Sequence, residues 1–374
     1  MTAVIWIDWY AYHVARFEAL VRHRALQERV VGLEMVGGAG VHGRTFRSDG
    51  RQDLPIQTLL PESGWSDAGQ GRIAAAVWRR LSEIDPSVIL VPGYYHAPAL
   101  AAAIWGKLHG RRTVLMSESS RMDHRRVWWK EGLKKVLVPW LFDWAVAGGK
   151  PHARYLQELG FPAERIARSY DVVDNRFYAE LADHARNTEH VDTTFIGPRE
   201  YFLYVGRLAA EKNVDGLIHA YAAYRLQCGD AALVIVGEGA LGDELREMAR
   251  VSPWNRDIHF TGQKTAREIA LYYAFARCFV LPSTREPWGL VVNEAMAAGL
   301  PVIVSDRCGC AEDLVHDGEN GFVVSPTPRR LCDAMLQIDR RAGELEAMSR
   351  RSREIIAEYS PEHWAAEVAR IVQH

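Results

Sequence analysis

Cysteine is scarce and badly placed for bridging. The 374-residue chain has five: Cys228, Cys278, Cys308, Cys310 and Cys332. The number is odd, all lie in the second half, and none forms a C-x-x-C pair. The short step from Cys308 to Cys310 suits neither a zinc knuckle nor a redox motif. The thiols are therefore expected as packing or loop residues in a reducing cytosol. No stretch approaches the ~18 uninterrupted apolar residues of a membrane span. The N-terminus MTAVIWIDWYAYH lacks the basic region that precedes the apolar core of a secretory signal. A cytoplasmic protein is expected, at most peripheral to the inner face of a membrane. An excess of one charge is also missing: 45 Lys and Arg against 47 Asp and Glu leave a net −2. That gives no electrostatic case for a nucleic-acid partner. With 48% hydrophobic and 25% charged residues, general disorder is excluded too.

What is present is alternation. At roughly 150 residues per domain the length suggests two domains. Short apolar runs over 4–7, 30–36, 88–91, 113–116 and 144–147 alternate with helical patterns over 12–24, 73–81, 98–109 and 151–159. The Gly-, Pro- and Asp-rich stretch 37–69 has no period that places it. The polar segment 186–200, RNTEHVDTTFIGPRE, reads as a linker. Beyond it strands are predicted over 202–205, 232–236, 258–261, 278–281 and 301–304, with helices over 214–226, 240–250, 266–275 and 290–298. Such alternation implies parallel sheets covered by helices on both faces. The expectation is α/β: two Rossmann-like domains facing a central cleft, over 1–190 and 191–360, with a helix over 361–374 packing back toward the first domain.

Two constellations carry chemistry. The first is PSTREPWGLVVNEAMAAGLP, residues 282–301, just after a predicted strand and so at the edge where open α/β sheets place ligands. A helix should start near Gly289 and stop at Gly299, with Pro301 beyond. The N–H groups of Trp288, Gly289 and Leu290 would then form an anion site at the positive end of the helix dipole. Glu286 precedes that helix, and Glu294 lies roughly 7–8 Å along it at 1.5 Å per residue. The two carboxylates could meet different parts of one extended ligand. The second constellation is YFLYVGRLAAEKN, residues 201–213, a strand running into a glycine turn flanked by Arg207 and Lys212. Two cations at a strand end can neutralise a diphosphate without a metal.

GRLAAEKN (206–213), VGEGALGDEL (236–245), FTGQ (260–263), LPSTREPWGLVVNEAMAAGLPVIVSD (281–306) and DGENGFVV (317–324) together resemble the retaining family-4 glycosyltransferases of the GT-B fold. Glu286 and Glu294 stand as that family's E-x7-E pair. The resemblance implies a nucleotide diphosphate-sugar as donor and co-substrate, a carbohydrate or lipid-linked acceptor, and transfer with retention. It implies that Arg207 and Lys212 hold the diphosphate, Glu286 the donor sugar hydroxyls and Glu294 the ribose, with Arg207, Lys212 and Glu286 as the catalytic residues and Gly206, Gly289 and Leu290 also in the donor site. Gly237, Gly239 and Gln263 would lie near the base, and Trp288 would shape the sugar pocket. No D-x-D triplet occurs; the closest approach is Asp171-Val-Val-Asp174. No metal or resident cofactor is therefore expected. The run Gly237-Glu-Gly-Ala-Leu-Gly242 also fits G-x-G-x-x-G, but it follows the second strand of its domain and no acidic ribose partner ends the next one. A nicotinamide oxidoreductase is thus disfavoured. A catalytically silent scaffold is the other alternative.

The first half departs from the family pattern. Its first loop, Asp8-Trp-Tyr-Ala-Tyr-His13, has no glycine pair, and Glu118 stands near where the family carries a His-Asp pair. Tyr94, Tyr95, His96 and Glu118 are the acceptor-side candidates. From Arg121 to Trp144, the residues Arg125, Arg126, Lys130, Lys134 and Lys135 interleave with Trp128, Trp129, Trp140 and Trp144. A basic, tryptophan-bearing helix there could lie on an anionic membrane or simply pack its aromatic face on the sheet, and Pro139 should limit its length.

Overall fold

The computed structural model describes residues 1–26, 29–38, 53–121, 127–188 and 200–373. It divides into two compact units, Met1–Val173 with Ser360–His374, and Asp174–Tyr359.

The first unit is built on seven parallel strands: β1 (Thr2–Trp6), β2 (Val30–Val36), β3 (Ile56–Leu60), β4 (Val88–Pro92), β5 (Arg112–Ser117), β6 (Trp144–Ala147) and β7 (Ile166–Ala167), in the order β3-β2-β1-β4-β5-β6-β7. Strands β1 and β2 are buried along their whole length, as expected where helices cover both faces of a parallel sheet. The edge strand β3 falls inside the stretch 37–69 that the sequence leaves unplaced. Its residues are only partly buried, so it never shows the apolar run of a central strand. The C-terminal helix Pro361–Gln373 packs on the helix Ala11–Arg22. It buries Trp364 completely, 6.1 Å from the Trp6 ring.

The second unit has six parallel strands, β8 (Tyr201–Val205), β9 (Ala232–Val236), β10 (Ile258–Gly262), β11 (Cys278–Leu281), β12 (Val302–Ser305) and β13 (Gly321–Val324), in the order β10-β9-β8-β11-β12-β13. Its contacts begin at Asp174, ahead of the boundary at 190 expected from sequence. The reason is the helix Asn175–Asn187, which buries Tyr178, Ala182 and Ala185 against the helices Ala266–Phe275 and Leu290–Ala297. Most of the expected linker, 189–199, lies outside the described residues. All five cysteines are free thiols, four of them buried.

In both sheets the chain winds outward from the middle in one direction and then the other. The reversal falls between β1 and β4 in the first sheet and between β8 and β11 in the second. Open α/β sheets bind ligands beyond the carboxyl ends of the strands at that reversal. The loops after β1, β4, β8 and β11 are therefore where function should sit.

Candidate functional site

In the second unit the loops after β8, β9 and β10 are laced together by main-chain bonds. The Gly206 N–H donates to the Val236 carbonyl at 3.0 Å, and Gly237 N–H to Gly262 at 2.9 Å. Leu208 N–H donates to Glu238, and Leu241 N–H to Leu208, both at 3.0 Å. Only glycine permits this. Gly237 has φ +135°, and a Cβ there would lie 1.9 Å from the Gly206 carbonyl oxygen; one at Gly239 would lie 2.4 Å from that of Leu208. Gly237→Ala should therefore force the loops apart. A non-glycine residue in that region costs about 1–3 kcal/mol before any clash. The urea midpoint of unfolding should fall accordingly. Gly71→Ala, at a helical position with nothing within 4 Å of the added carbon, should be neutral or stabilising by up to about 1 kcal/mol.

Three more loops close on that frame. Asn213, left-handed at φ 56°, donates its side-chain amide to the Pro282 and Pro326 carbonyls at 2.9 and 3.0 Å. Thr284 N–H donates to the Glu211 carbonyl at 2.8 Å. Between these ties Lys212 forms an ion pair with Glu286, whose Oε2 also accepts from the Ser283 hydroxyl at 3.2 Å. Glu286 is fixed by its main chain as well, donating to Arg307 at 3.1 Å and accepting from Gly309 at 3.0 Å. Arg207 is exposed and pairs with Glu211 at 3.0 Å. The Glu211 carboxyl is held below its ordinary value, first by its own backbone N–H and, against the opposing effect of burial, by Arg207, Lys212 and Arg285. Gln263 is exposed just beyond β10. The sequence thus brings Gly206, Arg207, Lys212, Gly237, Gly239, Gln263 and Glu286 to one sheet edge.

The helix Leu290–Ala297 starts on Gly289, whose φ of 108° would strain any other residue and where an added Cβ would lie 2.9 Å from a Leu281 methyl. Its first turn leaves N–H groups without intrahelical partners and carries the positive end of the helix dipole. One expectation needs correction. Trp288 is no pocket wall: its ring is 2% exposed, donates Nε1–H to Asn293 at 2.9 Å and packs near Tyr359. Glu294 has protein partners of its own. It accepts from the Tyr273 hydroxyl at 2.9 Å and also bonds with Tyr178. Burial pushes its carboxyl up to about 7, against the pull of the two tyrosines. Sequence reading missed both tyrosines, which come from the distant helices 175–187 and 266–275.

The first unit separates its candidates. Tyr94 and Tyr95 follow β4 and stack at 4.6 Å with hydroxyls 3.4 Å apart. His96 caps the helix Ala97–Leu108 edge-on to Trp65 at 5.0 Å, its imidazole pKa lowered by burial. Glu118, after β5, lies near Asp171 instead. Asp171 is fully buried 3.7 Å from buried Arg16, and Gly148 makes room for it: a Cβ there would lie 2.2 Å from Oδ2. Burial pushes the Asp171 carboxyl well above its ordinary range, Glu118 adds to the effect and Arg16 opposes it. No local spacing links Asp171 to Arg16 or Glu118, which come from distant parts of the chain. Among the described residues no group of three or more His, Cys, Asp or Glu could hold a metal ion.

A family model described as glycosyl transferases group 1 matches residues 185–371. The chain is 31% identical over 165 residues to an alpha-D-kanosaminyltransferase of Streptomyces kanamyceticus, covering 44% of this chain and 42% of that protein. It is 31% identical over 182 residues to a GDP-mannose-dependent alpha-(1-6)-phosphatidylinositol monomannoside mannosyltransferase of Mycobacterium tuberculosis, covering 46% and 47%. The chain thus spans less than half the length of these curated relatives. In fold it is similar to Anabaena Alr3699/HepE, solved in complex with UDP and glucose, at a TM-score of 0.72 and 16% identity over 100% of this chain and 99% of the other. That likeness gives the architecture, the GT-B arrangement of two Rossmann-like domains.

Proposed function

The chain belongs to the glycosyl transferases group 1, and we propose that it moves a sugar from a nucleoside diphosphate donor to a carbohydrate or lipid-linked acceptor. The observation that carries this reading is the Lys212–Glu286 pair, held where the second sheet reverses. One member is a cation suited to a diphosphate, the other a carboxylate suited to sugar hydroxyls. The relative named as GDP-mannose-dependent and the structural neighbour bound to UDP both support a nucleotide-sugar donor. Retention is proposed from the E-x7-E spacing of Glu286 and Glu294.

In this mechanism Arg207, Lys212 and the N–H groups at Gly289 and Leu290 offset charge developing on the leaving diphosphate. Arg207 is free to turn to it, because an exposed i,i+4 pair such as Arg207–Glu211 is worth only about 0.3–0.5 kcal/mol. Gly237 and Gly239 let the main chain approach the nucleoside, with Gln263 beside it, and Glu294 takes the ribose. Tyr94, Tyr95, His96 and Glu118 serve the acceptor.

Incubation with uridine, guanosine and adenosine diphosphate sugars should release the free diphosphate from one of them slowly, and faster once an acceptor is supplied. Proton NMR of the product should show the donor's anomeric configuration. No release from any donor would overturn the reading, and inverted product would remove retention alone. Transfer should also survive excess EDTA, because fixed side chains and N–H groups cannot be chelated away. Loss of turnover in EDTA, restored by magnesium or manganese, would mean that a divalent cation supplies this charge.

A further inference from the structure

The helix Trp128–Leu141 turns an apolar stripe outward. Trp128 is 85% exposed, Val136 68%, Trp140 58%, Trp129 54% and Leu133 53%, with Leu137 also exposed. At 100° per residue, Trp129, Leu133, Val136, Leu137 and Trp140 fall within about 100° of one another on the helix surface. The opposite side anchors the helix without them. Val138 and Leu141 are buried, and the Lys134 ammonium donates to Glu131 at 2.8 Å and to the Tyr155 hydroxyl at 3.3 Å. The Tyr155 hydroxyl in turn donates to Glu131 at 2.7 Å. Lys134 therefore does not belong to the exposed basic set suggested by the sequence. Trp144 leaves the aromatic set suggested by the sequence, lying in β6 under the Arg370 guanidinium. Arg125 and Arg126 lie outside the described residues. Pro139 does not stop the helix; it sits in the last turn, two residues before the end.

The remaining charges decide the partner. Glu131 is the helix's one carboxylate, and it is spent inward. Lys130 and Lys135 are exposed; at 100° per residue Lys130 lies about 20° beyond the Leu137 edge of the stripe, and Lys135 about 100° beyond the Val136 edge, beside Trp128. Among the described residues neither has an acidic partner; the Lys130 ammonium lies 5.4 Å over the Trp129 ring. We propose that this face docks on an anionic lipid bilayer, with the helix in the plane of the interface. The tryptophans and aliphatic side chains enter the headgroup boundary, while Lys130 and Lys135 extend their stems along it to meet lipid phosphate. A second copy of the chain fits less well. The helix has no outward carboxylate to meet the lysines of another copy, because Glu131 is taken up by Lys134 and Tyr155.

The test is independent of any sugar donor. Protein is sedimented with vesicles of equal parts phosphatidylglycerol and phosphatidylcholine, and with phosphatidylcholine alone, at low and high salt. The wild type should bind the anionic vesicles, shift its tryptophan emission to the blue, and dissociate as salt screens the surface. Lys130→Gln with Lys135→Gln should weaken binding about 30-fold, at about 1 kcal/mol per lysine near an anionic surface. Trp129→Ser with Val136→Ser and Trp140→Ser should abolish it, with circular dichroism unchanged in both variants. No wild-type binding, or binding indifferent to both variants, overturns the proposal. So does a wild-type dimer that the serine variant makes monomeric without any vesicle binding, which would assign the stripe to a second copy.

Discussion

Lys212→Ala is expected to lower kcat/KM for the nucleotide-sugar donor by about 10²–10³-fold, the range seen when one preorganised charge-stabilising group is removed. Its ammonium and the Glu286 carboxylate are 14% and 12% exposed, so water does little to replace a lost partner. Truncating Lys212 leaves Glu286 with only the Ser283 hydroxyl on that oxygen. Breaking a fully buried pair costs about 3–5 kcal/mol; this one opens to solvent at one side and should cost about 1–3 kcal/mol. The melting temperature therefore falls along with turnover, and the two effects must be separated. Adding Glu286→Gln to Lys212→Ala should recover most of the stability and none of the turnover. Lys212→Arg keeps the charge and should keep the fold with partial activity. A folded Lys212→Ala variant with near-wild-type turnover at low donor concentration removes Lys212 from the donor site.

The sequence reading succeeds where one local pattern has one physical meaning. Buried parallel strands show as continuous apolar runs, so nearly all central strands are legible, and a strand followed by a glycine turn marks the edge that holds Arg207, Lys212 and Glu286. It fails where the outcome depends on distant neighbours. Nothing in RFYAELADHAR tells which unit the helix Asn175–Asn187 will join; its apolar face is decided by the helices it meets. Trp288 beside a glycine looks available to a ligand, yet Asn293 and Tyr359 hold its ring in the core. Lys134 sits among exposed cations in the sequence, but Tyr155, on the following helix, turns it inward with Glu131. In each case a side chain's role is set by a partner that local spacing cannot reveal.

Glu294 gives the second unit a pH-dependent stability between about pH 4.5 and 7. Burial holds its carboxyl at about 7, above the ordinary 4.5, and the Tyr273 and Tyr178 hydroxyls pull it partly back. The folded protein therefore keeps a proton that the unfolded chain gives up between about pH 4.5 and 7. Across that window the unfolded state binds fewer protons, so stability falls as pH rises; outside it this group adds no slope. The full effect is at most about 3 kcal/mol, at 1.36 kcal/mol per pKa unit. Glu294→Gln mimics the protonated carboxyl and removes the dependence. In urea unfolding the variant should match the wild type near pH 4.5 and exceed it by about 2–3 kcal/mol at pH 8. Taking the difference between the two proteins cancels every other titrating group. Function should respond in the opposite sense. On the proposed role of Glu294 toward the ribose, its ionised form is the better hydroxyl acceptor, so wild-type kcat/KM for the donor should rise through pH 7 while the glutamine variant stays flat and weak. A stability difference that does not change with pH would mean that Glu294 ionises as an ordinary carboxylate. The two tyrosines would then be packing neighbours of the donor site, without influence on its charge.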